Sequence, residues 1–130
     1  MVMKAEQAKA GVRLKHRGRV VELDALVDTG ASMSVMSKRL SDKLGCFHSI
    51  KPYELRTADK EGKLRIDGYC RVDVEFQGHE IPGGAVFEVA ENLREDLDLV
   101  IGRPEIDKWE VIFTPEGAKL KRYPPVFEII

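Results

Sequence analysis

The chain has 130 residues, 43% of them apolar and 33% charged, which describes one soluble globular domain with its own core. Its 21 basic and 22 acidic side chains leave a net charge of -1, so there is no footprint for nucleic acid or a membrane surface. No apolar run approaches the ~20 residues that a membrane span needs.

Residues 1–11 are polar and Ala-rich, without the apolar stretch of a signal peptide, and read as a flexible lead to a domain over 12–130. Val12 to Leu23 alternates around Arg17-Gly18, which signals a hairpin. Asp24 to Val27 then runs into Asp28-Thr29-Gly30. A short helix is expected over Lys38 to Leu44, with Ser37 as N-cap and Gly45 just past its end. Tyr53 to Thr57 and Lys63 to Ile66 flank a turn at Asp59-Lys60-Glu61-Gly62. Tyr69 to Phe76 alternates and turns at Gln77-Gly78. Leu97 to Ile101 is an apolar strand ending in Gly102, and Pro104 opens a short helix through Lys108. Trp109 to Thr114 and Lys119 to Arg122 flank a hairpin at Pro115-Glu116-Gly117, and Val126 to Ile130 is a last apolar strand.

Cys46 and Cys70 have neither metal-ligand spacing nor a CxxC pairing, and free thiols in a reducing, cytoplasmic compartment are expected. His16 and His79 fall beside hairpin turns and read as solvated. There is no Gly-rich phosphate loop and no zinc motif.

The chain also echoes itself. Val12-x-Leu14-x-x-x-Gly18 precedes an apolar strand, Asp28-Thr29-Gly30 and a helix; Val72-x-Val74-x-x-x-Gly78 precedes Leu99-Val100-Ile101-Gly102 and a helix. The two halves suggest a pseudo-twofold domain in which only the first carries the carboxylate.

The most informative run is Leu26-Val27-Asp28-Thr29-Gly30-Ala31-Ser32. A carboxylate at the end of an apolar strand enters a tight turn rich in backbone N–H groups. Thr29 can lock that turn, and Gly30 permits close backbone approach. Taken alone, the run fits either half of a carboxylate dyad or an ordinary turn.

With this run, a hairpin around Ala58 to Gly62 and the later Val100-Ile101-Gly102-Arg103, the chain resembles the retropepsin-like aspartic proteases. The resemblance spans about Val12 to Phe113. It implies an all-β fold: a closed β-barrel or sandwich with one or two short helices, a flap hairpin and an internal pseudo-twofold. It implies that Asp28 is catalytic and that Thr29, Gly30, Ala31 and Ser32 form the active-site turn, with Thr29 bracing it across a dimer axis. Ala58, Asp59, Lys60, Glu61 and Gly62 would be the flap tip. Val100, Ile101, Gly102 and Arg103 would support the site from behind. Many retroviral relatives carry an Asp where this chain has Ser32, so a buried Arg103 needs its carboxylate from elsewhere. The flap tip is charged where retroviral flaps are Gly-rich.

The implied function is a homodimeric aspartic endopeptidase acting on a peptide or protein substrate without metal or organic cofactor. One Asp28 cannot make a dyad, so the second must come from a second copy. The alternatives are a non-catalytic peptide-binding module of the same fold, and an unrelated small β-domain in which Asp28 is a turn residue.

Overall fold

The computed structural model of the chain describes residues 5–56 and 62–124. Strand β1 (Gln7–His16) and strand β2 (Arg19–Asp28) pair antiparallel from Gln7↔Asp28 to His16↔Arg19. Arg17 and Gly18 both take positive φ, 46° and 82°. That is the turn whose twist matches the flanking strands. Strand β1 therefore starts five residues before the expected Val12, and residues 7–11, read from sequence as part of a flexible lead, are paired with β2. The alternation Gln7-Ala8-Lys9-Ala10 turns its alanines inward, and Ala10 is buried.

Strand β3 (Val35–Ser37) leads into helix α1 (Lys38–Leu44). The Ser37 hydroxyl accepts from the Leu40 N–H, and Gly45 ends the helix in the left-handed region. His16 is half-buried, its Nδ1 3.1 Å from the Leu44 carbonyl, rather than free in solvent, because the β1–β2 turn packs against the end of α1. Strands β4 (His48–Arg56) and β5 (Lys63–Phe76) form the next hairpin. Sequence alternation suggests two strands across Lys63 to Phe76. A single strand runs through instead, because an irregularity between Ile66 and Gly68 absorbs the break in register. Strands β6 (His79–Glu80) and β7 (Ala85–Ala90) follow, neither of them foreseen. Strand β8 (Leu99–Ile101), helix α2 (Arg103–Lys108), and a hairpin of strands β9 (Val111–Thr114) and β10 (Gly117–Leu120) complete the described chain.

The sheet runs β1-β2-β8-β3-β7-β5, and β5 pairs back onto β1 from Val12↔Phe76 to Lys15↔Asp73. Six strands thus close a barrel; β4 and β6 pair with β5 outside it, and β9 and β10 form a separate two-stranded sheet. At its centre β3 and β8 are antiparallel, each flanked by a parallel neighbour: β2 beside β8, β7 beside β3. This is an internal pseudo-twofold, but it relates β2 to β7 and β3 to β8. The sequence echo set the end of β2 against the end of β8 instead, because β3, too short to read from sequence, is the true counterpart of β8. The fold is retropepsin-like. The flap tip at Ala58 to Glu61 and the expected strand Val126 to Ile130 lie outside the described residues.

Leu14, Met36, Phe76, Phe87 and Trp109 fill the barrel, all fully buried. Phe76 and Trp109 pack tilted with centroids 5.9 Å apart. The expectation of free thiols is overturned: Cys46 and Cys70 form a buried disulfide, with Cα atoms 5.1 Å apart. The exit from α1 lays Cys46 against β5, a proximity that 24 residues of sequence separation cannot reveal. Cysteine usage therefore does not argue for a reducing compartment. Among the described residues no helix is long and apolar enough to cross a membrane.

Candidate active site

Ala25 and Val27 anchor β2 in the core, and β8 runs parallel beside it with Leu26↔Val100 and Val27↔Ile101. Asp28 therefore leaves the end of a well-held strand, half-buried, at the floor of a cleft. The Gly30 N–H donates to Asp28 Oδ1 at 2.8 Å, and the Gln7 side-chain amide donates to Oδ2 at 3.2 Å. The Ala31 N–H closes the turn onto the Asp28 carbonyl at 3.1 Å. A Cβ on Gly30 would lie 3.2 Å from Asp28 Oδ1 and 2.8 Å from the Ala5 side chain, so this position has room only for glycine.

Thr29 is held within its own chain. Its hydroxyl accepts from the Glu6 N–H at 2.8 Å, and its backbone N–H donates to the Glu6 carbonyl at 3.0 Å. Within the chain the turn is thus braced to the strand start, because β1 extends far enough to reach it.

The support behind the turn comes from Gly102. A side chain there would lie 2.4 Å from the Met33 carbonyl oxygen and 2.8 Å from that of Ala31. The Arg103 N–H donates to the Ala31 carbonyl at 2.8 Å. Ser34, buried, accepts from the Gly102 N–H at 2.9 Å and donates to Glu105. The Arg103 side chain is not a buried charge as expected. It is exposed and meets Asp107 one helical turn on, at 3.4 Å, because α2 points it outward. Ser32 is exposed on the cleft wall.

The cleft has a volume of about 750 Å³. Asp28, Gly30 and Ala31 line its floor, and Leu55, Leu64 and Leu93 line an apolar wall. Leu55 and Leu64 belong to the two flap strands and pack, with Leu93, on a small second core of Val35, Ile66 and Ala90. Asn92 clamps the flap base: its amide donates to the Lys63 carbonyl and its side-chain oxygen accepts from the Arg65 N–H. Tyr53 ties β4 to β7 by donating to Glu88 at 3.0 Å. Its phenol is pushed up to about 12, by burial first and then by the hydrogen bond to Glu88 and that carboxylate's charge. Of the expected flap tip, Gly62 lines the cleft and the remainder lies outside the described residues.

Gln7, Ser34, Asn92 and Glu105 were not legible as site residues. Gln7 falls in what reads as a polar lead. The other three are common surface types, brought to the site only by the crossing of β2, β8 and the flap strands.

Residues 12–104 match the aspartyl protease family. The structure is similar to the crystal structure of the retroviral protease-like domain of Ddi1 from Leishmania major, with a TM-score of 0.66 and 21% identity, covering 91% of this chain and 90% of that one. EIAV protease in complex with the inhibitor HBY-793 aligns with a TM-score of 0.48 and 18% identity, over 82% of this chain and 88% of that one. No curated protein matches the chain in sequence. With well over half of its residues inside the family match, the chain belongs to the aspartyl protease family.

Proposed function

We propose that the protein is a homodimeric aspartic endopeptidase whose active site forms when two copies bring their Asp28 carboxylates together. The observation that carries this reading is the placement of Asp28: at the end of β2, held by the Gly30 N–H, on the floor of an open cleft beneath the flap strands. Each chain contributes one such carboxylate, and the chemistry needs two.

Two carboxylates in contact cannot both ionise cheaply, so the pair holds one proton. The ionised member takes a proton from a water between them while the protonated member donates to the scissile carbonyl oxygen. Water attacks the carbonyl carbon, and collapse of the tetrahedral intermediate, with proton transfer to the nitrogen, breaks the C–N bond. The peptide lies extended between floor and flap, adding its backbone as a strand. The apolar wall of Leu55, Leu64 and Leu93 receives side chains of the substrate.

The test is cleavage of a mixed peptide library by the wild-type chain and Asp28→Asn, with the association state of both followed by sedimentation. We expect cleavage by a wild-type dimer, inhibition by pepstatin, and loss of cleavage to background in a variant that still folds and dimerises. A dimer that binds peptides without cleaving them would replace the endopeptidase with the non-catalytic peptide-binding module.

A further inference from the structure

We propose that Gln7 is the positioning residue for the Asp28 carboxylate; the inference rests on the endopeptidase reading and deepens it. The Asp28 side chain has two oxygens to fix. The Gly30 N–H holds Oδ1 at 2.8 Å. The group that reaches Oδ2 is the Gln7 amide, at 3.2 Å. Ala31 offers only a methyl to the carboxylate, and the Thr29 hydroxyl is engaged with the Glu6 backbone.

The placement of Gln7 follows from the strand ladder. Gln7 and Asp28 are direct partners in the β1–β2 register, which puts both side chains on one face of the sheet. The neighbouring pair fixes that register, since Glu6 and Thr29 exchange two hydrogen bonds at 2.8 and 3.0 Å. The amide therefore cannot slide away from the carboxylate without breaking the ladder. A carboxylate held by one oxygen still rotates about its terminal torsion, which is broad and roughly twofold. Held at both oxygens, its plane is set before a partner carboxylate or a substrate arrives. An amide does this without adding charge. A Lys or Arg in its place would bind Asp28 as an ion pair and compete with the shared proton.

The same contact assigns a task to the start of β1. Its first residues carry no core side chain of any size, yet the ladder continues past Ala10 to the active-site turn. Delivering Gln7 to Asp28 is what that extension accomplishes.

The experiment is steady-state cleavage of one peptide by the wild-type chain, Gln7→Met and Gln7→Glu, with melting temperature and dimer affinity measured alongside. Met keeps the length of Gln and removes the donor; Glu keeps the shape and replaces the donor with a second acceptor. Misplacing a reacting group costs rate more than binding, so Gln7→Met should lower kcat about tenfold, with KM within about twofold of wild type. Gln7→Glu should fall further, and neither should change melting temperature or dimer affinity. An unchanged kcat in Gln7→Met overturns the assignment. So does a rise in KM alone, which would make Gln7 a substrate contact, or a fall in kcat that tracks lost stability, which would make it a structural strand end. A wild-type dimer without Asp28-dependent cleavage overturns the endopeptidase reading itself, an outcome separable from the others because it appears before any Gln7 variant is compared.

Discussion

Ser34 and Arg103 flank the same backbone junction, and their energetics are opposite to what their side chains suggest. Arg103 carries a charge but lies exposed, with Asp107 as a solvent-screened neighbour at 3.4 Å. Ser34 is small and neutral, yet its buried hydroxyl is bonded at both ends, to the Gly102 N–H and to Glu105. Exposed i,i+4 pairs are worth about 0.3–0.5 kcal/mol, whereas an orphaned buried polar group costs about 1–3 kcal/mol. Ser34→Ala should therefore destabilise the fold by about 1–3 kcal/mol in denaturant melts, and Arg103→Ala by less than about 0.5 kcal/mol. Equal effects, or the reverse order, would show that the Arg103 guanidinium anchors the junction after all. The turn at Asp28 and Gly30 and the strand end before Gly102 were legible, because a carboxylate in a turn and a glycine at a strand end carry recognisable chemistry. Sequence reading could not weigh Ser34 against Arg103, because burial at this junction is decided by how α2 leaves β8.

Elements with their own local signals were the most legible. Helix α1 has the expected bounds because Ser37 caps its start and Gly45 its end. The start of β1 was lost because its inward residues are Ala8 and Ala10, whose small side chains give a weak strand signal and favour helix by propensity. In β7 the outward Val86 is 40% exposed, so the alternation of polar and apolar that marks a half-buried strand is blurred. The join between β7 and the flap strand β4 is also a matter of tertiary placement. Tyr53 and Glu88, 35 residues apart, meet there at 3.0 Å. The Tyr53 phenol is raised from 10.0 to about 12, so its folded-state value lies above its unfolded one. Its contribution is then fully present below about pH 10 and is lost as pH rises through about 12. The stability of wild type relative to Tyr53→Phe should be constant up to about pH 10 and shrink from there to about pH 12. In an ultraviolet titration, the variant should lack a tyrosine step near pH 12 that the wild type shows. A difference in stability that does not change across that window would mean that Tyr53 does not hold β4 to β7 through its hydroxyl.

At the scale of the whole molecule, the pseudo-twofold and the single carboxylate belong to one argument. The barrel repeats its strand pattern, β2 beside β8 and β7 beside β3, so β7 is the counterpart of β2, and it ends at Val89-Ala90, with no acid at the strand end where β2 has Asp28. One chain thus has two similar strand ends and one carboxylate. The proposed dyad therefore takes its second Asp28 from a second copy of the chain, in a symmetric pair. This arrangement makes a quantitative demand on mixtures. When a fixed amount of wild type is allowed to exchange subunits with an equal amount of Asp28→Asn, random pairing leaves about a quarter of all dimers with two carboxylates. The same wild-type chains, free of the variant, would all have been in such dimers. Activity per wild-type chain should therefore fall to about half, and further as the variant is added in excess, without any change in substrate or pH. If each chain cleaved by itself, adding the variant would change nothing. Partial activity of mixed dimers would give a fall shallower than about half, and would mean that one Asp28 suffices alongside some other acid. Subunit exchange followed by peptide cleavage thus reads the number of carboxylates per active site directly, independently of how the flap closes or which peptide is bound.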